Sequence, residues 1–149
     1  MTDALYTTDI LRLAADIPRL TRLVDADYSV TKVSPICGSR VKVDVRIENG
    51  QVVDYGQEVR ACALGQASAA IMGAAAVGLD LTHFETLDAA LADFLKGNGP
   101  ALDAPFEDTQ VFGPAKDYKS RHASILLPFQ AMADIARQAA NAEPVAEKA

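Results

Sequence analysis

The segment RVKVDVRIE, residues 40–48, alternates valine or isoleucine with charged residues. Successive side chains of a strand point to opposite faces of its sheet, so this alternation predicts a strand with one buried face. Asn49 and Gly50 follow directly, and a second run rich in strand-forming residues, VVDYGQEVRA, begins at Val52. Asn-Gly between two such runs is a strong hairpin signal. The pattern predicts an antiparallel hairpin whose apolar face must be covered by other elements.

The positions of the apolar residues favour a three-residue loop over residues 48–50, because this register keeps the apolar side chains on one face. The expected pairs are Val45 with Val53 and Val43 with Tyr55. Gly56 is expected to mark a bulge in the returning strand. Asp44 and Glu48 lie on the opposite face of the first strand and are expected to face solvent.

The remaining segments predict a third strand and several helices. β-branched residues in DYSVTKVS, residues 27–34, indicate the strand, and apolar periodicity with caps indicates the helices. The expected helices cover residues 7–16, 63–78, 86–97 and 126–140. The last one is expected to begin near Leu126 because a proline such as Pro128 is tolerated best in the first turn. Residues 98–121 contain several Gly and Pro turns and are expected to form a long loop.

Composition excludes several classes of function. The chain has 149 residues, enough for one domain, and its 14 basic and 20 acidic residues give a net charge of -6. This balance argues against binding to nucleic acid or to an anionic membrane, which requires clustered lysine and arginine. No apolar run reaches the roughly 20 residues of a membrane span, and the start of the chain lacks a signal-peptide pattern. We therefore expect a cytoplasmic protein, whose cysteines act more often as thiols or ligands than as a disulfide.

The chain has two cysteines, Cys37 and Cys62. The predicted hairpin brings both to the same end of the sheet, where cross-strand Cβ atoms are roughly 4.5–5.5 Å apart. Such a separation suits two thiolates on one metal ion. Cys62 also opens a predicted helix, whose N-terminus favours a thiolate. The alternative is that both are small buried hydrophobic residues.

His122 precedes the last predicted helix. Taken alone, a histidine there is more often a surface or capping residue than a ligand. A helix N-terminus nevertheless disfavours the imidazolium form, and the neutral ring is the one that binds metals. His83 has no cysteine nearby in the sequence pattern and is expected at the surface.

The segment SPICGSRVKVDVRIENGQVVDYGQEVRACALGQASAAIM resembles the core of the iron–sulfur cluster scaffold family that includes IscU, SufU and the N-terminal domain of NifU. The family carries an Asn-Pro-x-Cys-Gly-Asp turn before the hairpin and Gly-Cys-x-x-x-x-Ala-Ser after it. The matching residues are Pro35, Cys37, Gly38, Cys62, Ala67 and Ser68. DILRLAADIPRL and RHASILLPFQAM resemble the family's first and last helices. The resemblance spans roughly residues 5–140.

The resemblance implies an α+β fold of the SufE/NifU type, in which four to five helices cover one face of a three-stranded antiparallel meander. The whole chain, residues 1–149, would be one such domain with a frayed tail from about residue 141. The implied function is a non-enzymatic scaffold or carrier for iron–sulfur cluster assembly. Its expected partners are a cysteine desulfurase and recipient apo-proteins, and it is expected to be a monomer or a homodimer.

The resemblance also implies a ligand set of Cys37, Cys62 and His122. The family's aspartate falls on Ser39 and its third cysteine on Ala123, and neither residue matches. Two thiolates and one imidazole suit zinc with an open fourth position, or a transient [2Fe–2S] cluster that is held incompletely. Loss of the third thiol puts sulfur acceptance from a desulfurase in question.

Two other hypotheses stay open at this point. The chain could be an interaction protein that regulates the assembly machinery and holds zinc or no metal. It could also be a thiol redox protein that uses a reversible Cys37–Cys62 disulfide.

Overall fold

The structure is a computed structural model that describes residues 5–36 and 38–142. Cys37 lies outside the described residues. So does the tail that was expected to fray from about residue 141, except for residues 141 and 142. The elements in chain order are α1 (Thr8–Ala14), β1 (Tyr28–Val33), β2 (Arg40–Glu48), β3 (Gln51–Arg60), α2 (Ala63–Ala75), α3 (Phe84–Leu95) and α4 (His122–Ala140). Among the described residues, the chain also forms three 3-10 helices, Leu81–His83, Glu107–Asp117 and Lys119–Arg121.

The three strands form one antiparallel sheet in the order β1-β2-β3. Its inner face is apolar, with Val41, Val43 and Val45 of β2 fully buried. Helix α4 packs on β1 and β2, and α2 packs on β3, α4 and α1. The predicted α+β fold, a meander with helices on one face, is confirmed.

The predicted register of the β2–β3 hairpin is wrong. Asn49 and Gly50 form a two-residue turn with φ of 54° and 78°, the conformation that Asn-Gly favours because it matches the twist of the strands. Further along the hairpin, Ile47 pairs with Val52 and Arg46 with Asp54, so Val53 is an extra residue that forms a bulge in β3. The resulting pairs are Val45 with Tyr55 and Val43 with Gln57. Because of this bulge, Val52 and Tyr55 are both buried while Val53 remains exposed.

Gly56 does not mark the bulge; its role is to admit another part of the chain. An added Cβ at Gly56 would lie 2.3 Å from the carbonyl oxygen of Thr21. The backbone N–H of Gln57 donates to that same oxygen at 2.9 Å. The segment before β1 therefore packs directly against β3, and only glycine leaves room for it.

Asp44 was expected to face solvent and is instead fully buried. Arg22 binds its carboxylate through two N–H groups at 2.6 and 3.0 Å, and the Ser29 hydroxyl and the Leu23 N–H donate to it at 2.6 and 3.0 Å. Burial by itself raises the pKa of Asp44, but these hydrogen bonds outweigh it and leave that pKa below the ordinary value of an aspartate. On the outer face of the sheet, Asp44 thus holds the segment before β1 in place through its ion pair with Arg22 and its hydrogen bond with the Leu23 N–H.

Helix α4 begins at His122, about one turn earlier than the sequence suggests, and continues through Pro128. Pro128 has no N–H to donate to the carbonyl of residue 124. A proline inside a helix usually kinks or ends the helix for this reason. At this turn the Ser68 hydroxyl of α2 donates to the carbonyl of Ile125, so the neighbouring helix braces the proline-containing stretch. Tertiary packing therefore overrides the local signal.

The segment of residues 98–121 is not a plain loop. Most of its second half forms 3-10 helices, and Phe106, Thr109, Phe112 and Ala115 in this segment are buried. Phe106 also makes an edge contact with Phe129 of α4, with ring centroids 5.6 Å apart. These apolar anchors hold the segment against α4. Within the described residues, no helix has both the length and the apolar character that crossing a bilayer demands.

Candidate metal and cluster site

Cys62 is the residue that caps the N-terminus of α2, as predicted. Its backbone is extended, with φ of -67° and ψ of 172°, and its carbonyl accepts the N–H of Gln66 at 2.9 Å. The thiol is free and half-buried. At this position it is next to the positive end of the helix dipole.

The chain on either side of Cys37 forms a turn between β1 and β2. The N–H of Gly38 donates to the carbonyl of Ser34, and the N–H of Ser34 donates to the carbonyl of Ser39, both at 2.8 Å. Gly38 has a φ of 72°, which favours glycine. This turn lies at the end of the sheet where β3 also ends, immediately before Cys62. The position of the Cys37 thiol itself stays a prediction.

His122 is the first residue of α4, and its ring is anchored at one nitrogen. Its Nε2 lies 2.8 Å from the carbonyl oxygen of Ala115, which can only accept a hydrogen bond. The neutral ring therefore carries its proton on Nε2, and Nδ1 is the nitrogen with a lone pair for a metal. A backbone carbonyl is one of the partners, with carboxylates and water, that orient the ring of a metal-binding histidine.

Contacts between α2 and α4 bring the starts of the two helices together. An added Cβ at Gly65 would lie 3.4 Å from the carbonyl oxygen of Ser124, so the two backbones approach closely. The hydrogen bond from Ser68 to Ile125 lies one turn further along α2. Gly65 and Ser124 are only three and two residues from Cys62 and His122, so both predicted ligands lie at the same end of the helix pair.

Arg121 is a residue of this site that the sequence reasoning missed. Its Nη1 donates to the Tyr6 hydroxyl at 2.9 Å. Its guanidinium also interacts electrostatically with the Cys62 thiol. The Tyr6 oxygen, and then the Cys62 sulfur, raise the pKa of Arg121, so it remains a cation beside the thiol. Its only sequence signal is its place next to His122.

The residues at the two family positions that do not match, Ser39 and Ala123, carry neither a carboxylate nor a thiol. Ser39 is only 2% exposed, and its hydroxyl accepts a hydrogen bond from Ser124 at 3.0 Å. Ala123 offers only a methyl group. Over residues 5–36 and 38–142, no cluster of three His, Cys, Asp or Glu side chains is suited to a metal ion. Of the predicted ligands, the described part of the chain supplies the Cys62 thiol and the His122 imidazole.

A cleft of about 590 Å³ lies elsewhere, between α3 and residues 98–106. Its lining is mainly apolar, with Leu87, Leu102 and Phe106 among its residues, and it includes neither Cys62 nor His122. The cleft is therefore separate from the candidate site.

Comparison with known proteins places this geometry in a family. Residues 5–123 match the model of the NifU-like N-terminal domain. The chain belongs to the NifU-like N-terminal domain family. The match ends at Ala123, so the family region includes all three predicted ligands. No curated protein matches the chain.

Two solved structures share the fold of this NifU-like domain. A nitrogen-fixing NifU-like protein (N-terminal) from Brucella abortus is 40% identical, with a TM-score of 0.87 over 99% of this chain and 98% of that one. FiSufU from the thermophile Fervidobacterium islandicum AW-1, a candidate iron–sulfur cluster assembly scaffold protein for the SUF system, is 19% identical. Its TM-score is 0.74 over 86% of this chain and 93% of that one. The second likeness shows the fold alone.

Proposed function

We propose that this NifU-like domain is a non-enzymatic scaffold or carrier for iron–sulfur cluster assembly, and that Cys37, Cys62 and His122 bind its cargo. The observation that carries the proposal is the placement of Cys62 and His122 at the starts of α2 and α4, which pack side by side. Membership of the family supports the same function. The whole chain would act as one domain in the cytoplasm.

The donor set determines what the site can hold. Two thiolates and one imidazole would bind zinc with a fourth position open to water or to a ligand from a partner. The same set would hold a [2Fe–2S] cluster incompletely, which leaves one iron exchangeable and suits a transient carrier. The hydrogen bond from His122 Nε2 to Ala115 would orient Nδ1. The cation of Arg121 beside Cys62 would stabilise negative charge on the cargo.

The partners follow from the cargo. A cluster carrier needs a source of sulfur and a protein that accepts the product, so we expect a cysteine desulfurase and recipient apo-proteins to bind this chain. The site has neither the third thiol nor the aspartate of the family, because Ala123 and Ser39 stand there.

The decisive experiment measures zinc, iron and acid-labile sulfide in protein purified without oxygen, before and after reconstitution with ferrous iron and sulfide. Cys37→Ala, Cys62→Ala and His122→Ala should each remove most of the bound metal and sulfide. His83→Ala is the matched control because His83 is likewise a histidine at the start of a helix, the exposed N-cap of α3. Wild-type metal and sulfide content in the cysteine variants would contradict the ligand assignment.

A second candidate function is a regulatory interaction protein of the assembly machinery that holds zinc or no metal. It is favoured by the burial of Ser39 and by the methyl group of Ala123, which remove two of the family's ligands. This hypothesis predicts desulfurase binding that survives the double substitution of Cys37 and Cys62 by alanine. Loss of binding together with loss of metal would exclude it.

A further inference from the structure

The cleft between α3 and residues 98–106 takes no part in the proposed function. Its volume of about 590 Å³ lies within the roughly 300–1,000 Å³ that is typical of sites for small molecules. One wall is a single face of α3, because His83, Leu87, Ala90 and Asp93 recur at the three- and four-residue spacing of helix neighbours. From His83 to Asp93 this wall is about 15 Å long.

The opposite wall is held in place by contacts within the protein. Thr109 is fully buried, and its hydroxyl accepts a hydrogen bond from the N–H of Leu102 at 3.3 Å and donates one to the carbonyl of Phe106 at 2.7 Å. The ring of Phe106 is also held by its edge contact with Phe129. Leu102 and Phe106 both line the cleft. The cleft is therefore preformed, since internal contacts fix the residues on both of its sides.

The lining of the cleft is mainly apolar. Its apolar side chains come from both walls and include those of Leu79, Leu87, Ala90, Leu102, Ala104 and Phe106. Covering apolar surface that faces water is favourable, and a preformed cleft gains this free energy at little cost in ordering. The walls are therefore suited to the apolar body of a ligand.

The charged side chains in the lining are both carboxylates, those of Asp93 and Asp103. Both residues are exposed, and neither forms an ion pair within the part of the chain that the structure describes. Among these described residues no lysine or arginine lines the cleft, although Lys96 follows α3 directly. Asp93 lies in the last turn of α3, where the helix dipole is also negative. The cleft thus combines apolar walls with negative charge that has no cationic partner.

We propose that this cleft is a binding site for a small amphiphilic molecule that has an alkyl or aryl body and one ammonium group. The apolar walls cover the body, and the carboxylates of Asp93 and Asp103 attract the ammonium. The same carboxylates repel an amphiphile that ends in a carboxylate. A protein partner usually needs about 800 Å² of surface, whereas a cleft made by one helix face and a nine-residue segment has the size of a small-molecule site.

The inference is independent of the proposed function, because neither Cys62 nor His122 lines the cleft. Metal and sulfide content therefore does not decide it. Binding of a cationic amphiphile is measured instead on the full chain, and its outcome leaves the assignment of the metal ligands unchanged.

The first experiment titrates the chain with n-octylammonium, octanol and octanoate, which share one alkyl chain and differ in charge. Amide shifts in proton–nitrogen correlation spectra locate the binding site and give the dissociation constants. We expect the largest shifts in α3 and residues 98–106, and about tenfold tighter binding of octylammonium than of octanoate, with octanol between them. Equal affinity for the three ligands, shifts centred on another part of the chain, or no saturable binding would each overturn the proposal.

The second experiment removes the charge of the cleft. The double variant Asp93→Asn/Asp103→Asn should bind octylammonium about fivefold more weakly and octanol as tightly as the wild type does. The matched control is Asp25→Asn/Glu48→Gln, which removes two exposed acids outside the lining and changes the net charge by the same amount. An equal loss of octylammonium affinity in both double variants would show that only the net charge matters, and would contradict the site.

The third experiment fills the cleft. Ala90→Leu places a larger side chain on the α3 wall and should weaken the binding of all three ligands by about tenfold or more. Ala89→Leu is the matched control, because Ala89 is the exposed preceding residue of α3 and does not line the cleft. Wild-type affinity in Ala90→Leu would reject the cleft as the binding site. Thermal midpoints check folding, and octylammonium should raise the midpoint of the wild type because it binds the folded chain; a fall would show that it unfolds the protein and would overturn the proposal.

Discussion

The hydroxyl of Ser124 donates a hydrogen bond to the hydroxyl of Ser39 at 3.0 Å in the interior of the protein. Ser39 belongs to the turn that carries Cys37, and Ser124 is the third residue of α4, two positions after His122. This bond joins the turn between β1 and β2 to the start of the last helix. It therefore helps to set the relative position of two segments that each supply a predicted ligand.

Ser124→Ala should lower the free energy of unfolding by about 1–2 kcal/mol, because the buried hydroxyl of Ser39 loses its donor. Ser39→Ala should have a similar effect, and the double variant should lose about 1 kcal/mol less than the sum. Urea denaturation of the four proteins measures this coupling. Ser120→Ala, an exposed serine just before α4, should change stability by less than about 0.5 kcal/mol. Strictly additive effects would show that the two hydroxyls do not interact.

Asp44→Asn should lower the free energy of unfolding at pH 7 by about 2–3 kcal/mol, because Arg22 loses its buried anionic partner. The effect stays at the lower end of the range for buried ion pairs because the Arg22 side chain is 46% exposed. The control is Asp54→Asn, which breaks an exposed pair with Arg19 and should cost less than about 1 kcal/mol.

The same variant should alter the acid sensitivity of the protein. The hydrogen bonds to Asp44 hold its pKa below its ordinary value, so the unfolded chain takes up this proton before the folded chain does. The stability that the carboxylate contributes is therefore present above about pH 4 and is lost as the pH falls through the native pKa. Urea midpoints at pH 7, 5, 4 and 3 should show the gap between wild type and Asp44→Asn narrowing below about pH 4. A constant gap down to pH 3 would contradict the lowered pKa.

Gly56→Ala should destabilise the fold by more than about 2 kcal/mol, because the new Cβ would lie 2.3 Å from the Thr21 carbonyl oxygen, a backbone atom that cannot easily move. Gly113→Ala is the matched control, since an added Cβ there meets nothing within 4 Å. Thermal unfolding compares the two variants. An equal midpoint for both would show that the segment before β1 does not pack on Gly56.

Ala123→Cys should strengthen metal binding at the proposed site, because it restores a thiol at the second position of α4, directly after His122. We expect the apparent zinc affinity to rise by about tenfold or more in a chelator competition assay. Ser120→Cys adds a thiol of the same kind two residues before His122, on an exposed position. An equal rise in zinc affinity for both variants would contradict this prediction, because the added thiol would then bind zinc independently of the proposed site.

Local sequence patterns were sufficient for most of the framework. The alternation in residues 40–48 predicted a half-buried strand, and Asn49-Gly50 predicted where the hairpin turns although not the length of its loop, because both depend on neighbouring residues. The same holds for the helix that begins directly after Cys62. The family resemblance added His122 as a ligand, and the structure places it at the start of α4 beside the start of α2.

Contacts between distant segments decided the rest. The two-residue turn sets one register, and the bulge at Val53 changes it so that both Val52 and Tyr55 face the core. No local sequence rule predicts the position of this bulge. From the sequence, Asp44 was predicted to face solvent. Its partners, Arg22 and the Leu23 N–H, lie 22 and 21 residues away in the chain, so no local pattern indicated its burial. The earlier start of α4 likewise accompanies a contact with a distant segment, the hydrogen bond from Ser68 of α2 to the Ile125 carbonyl.

The sequence by itself therefore determined the three strands and the position of the hairpin between β2 and β3, since these depend on side-chain period and residue type. Only the tertiary structure decided that Arg121 lies beside Cys62, that the hydroxyl of Ser39 is buried and that Arg40 and Arg60 face each other without acidic partners in the described chain. The physical reason is that hydrogen bonds and charge pairs act over a few ångströms in space. Their partners can be any number of residues apart along the chain.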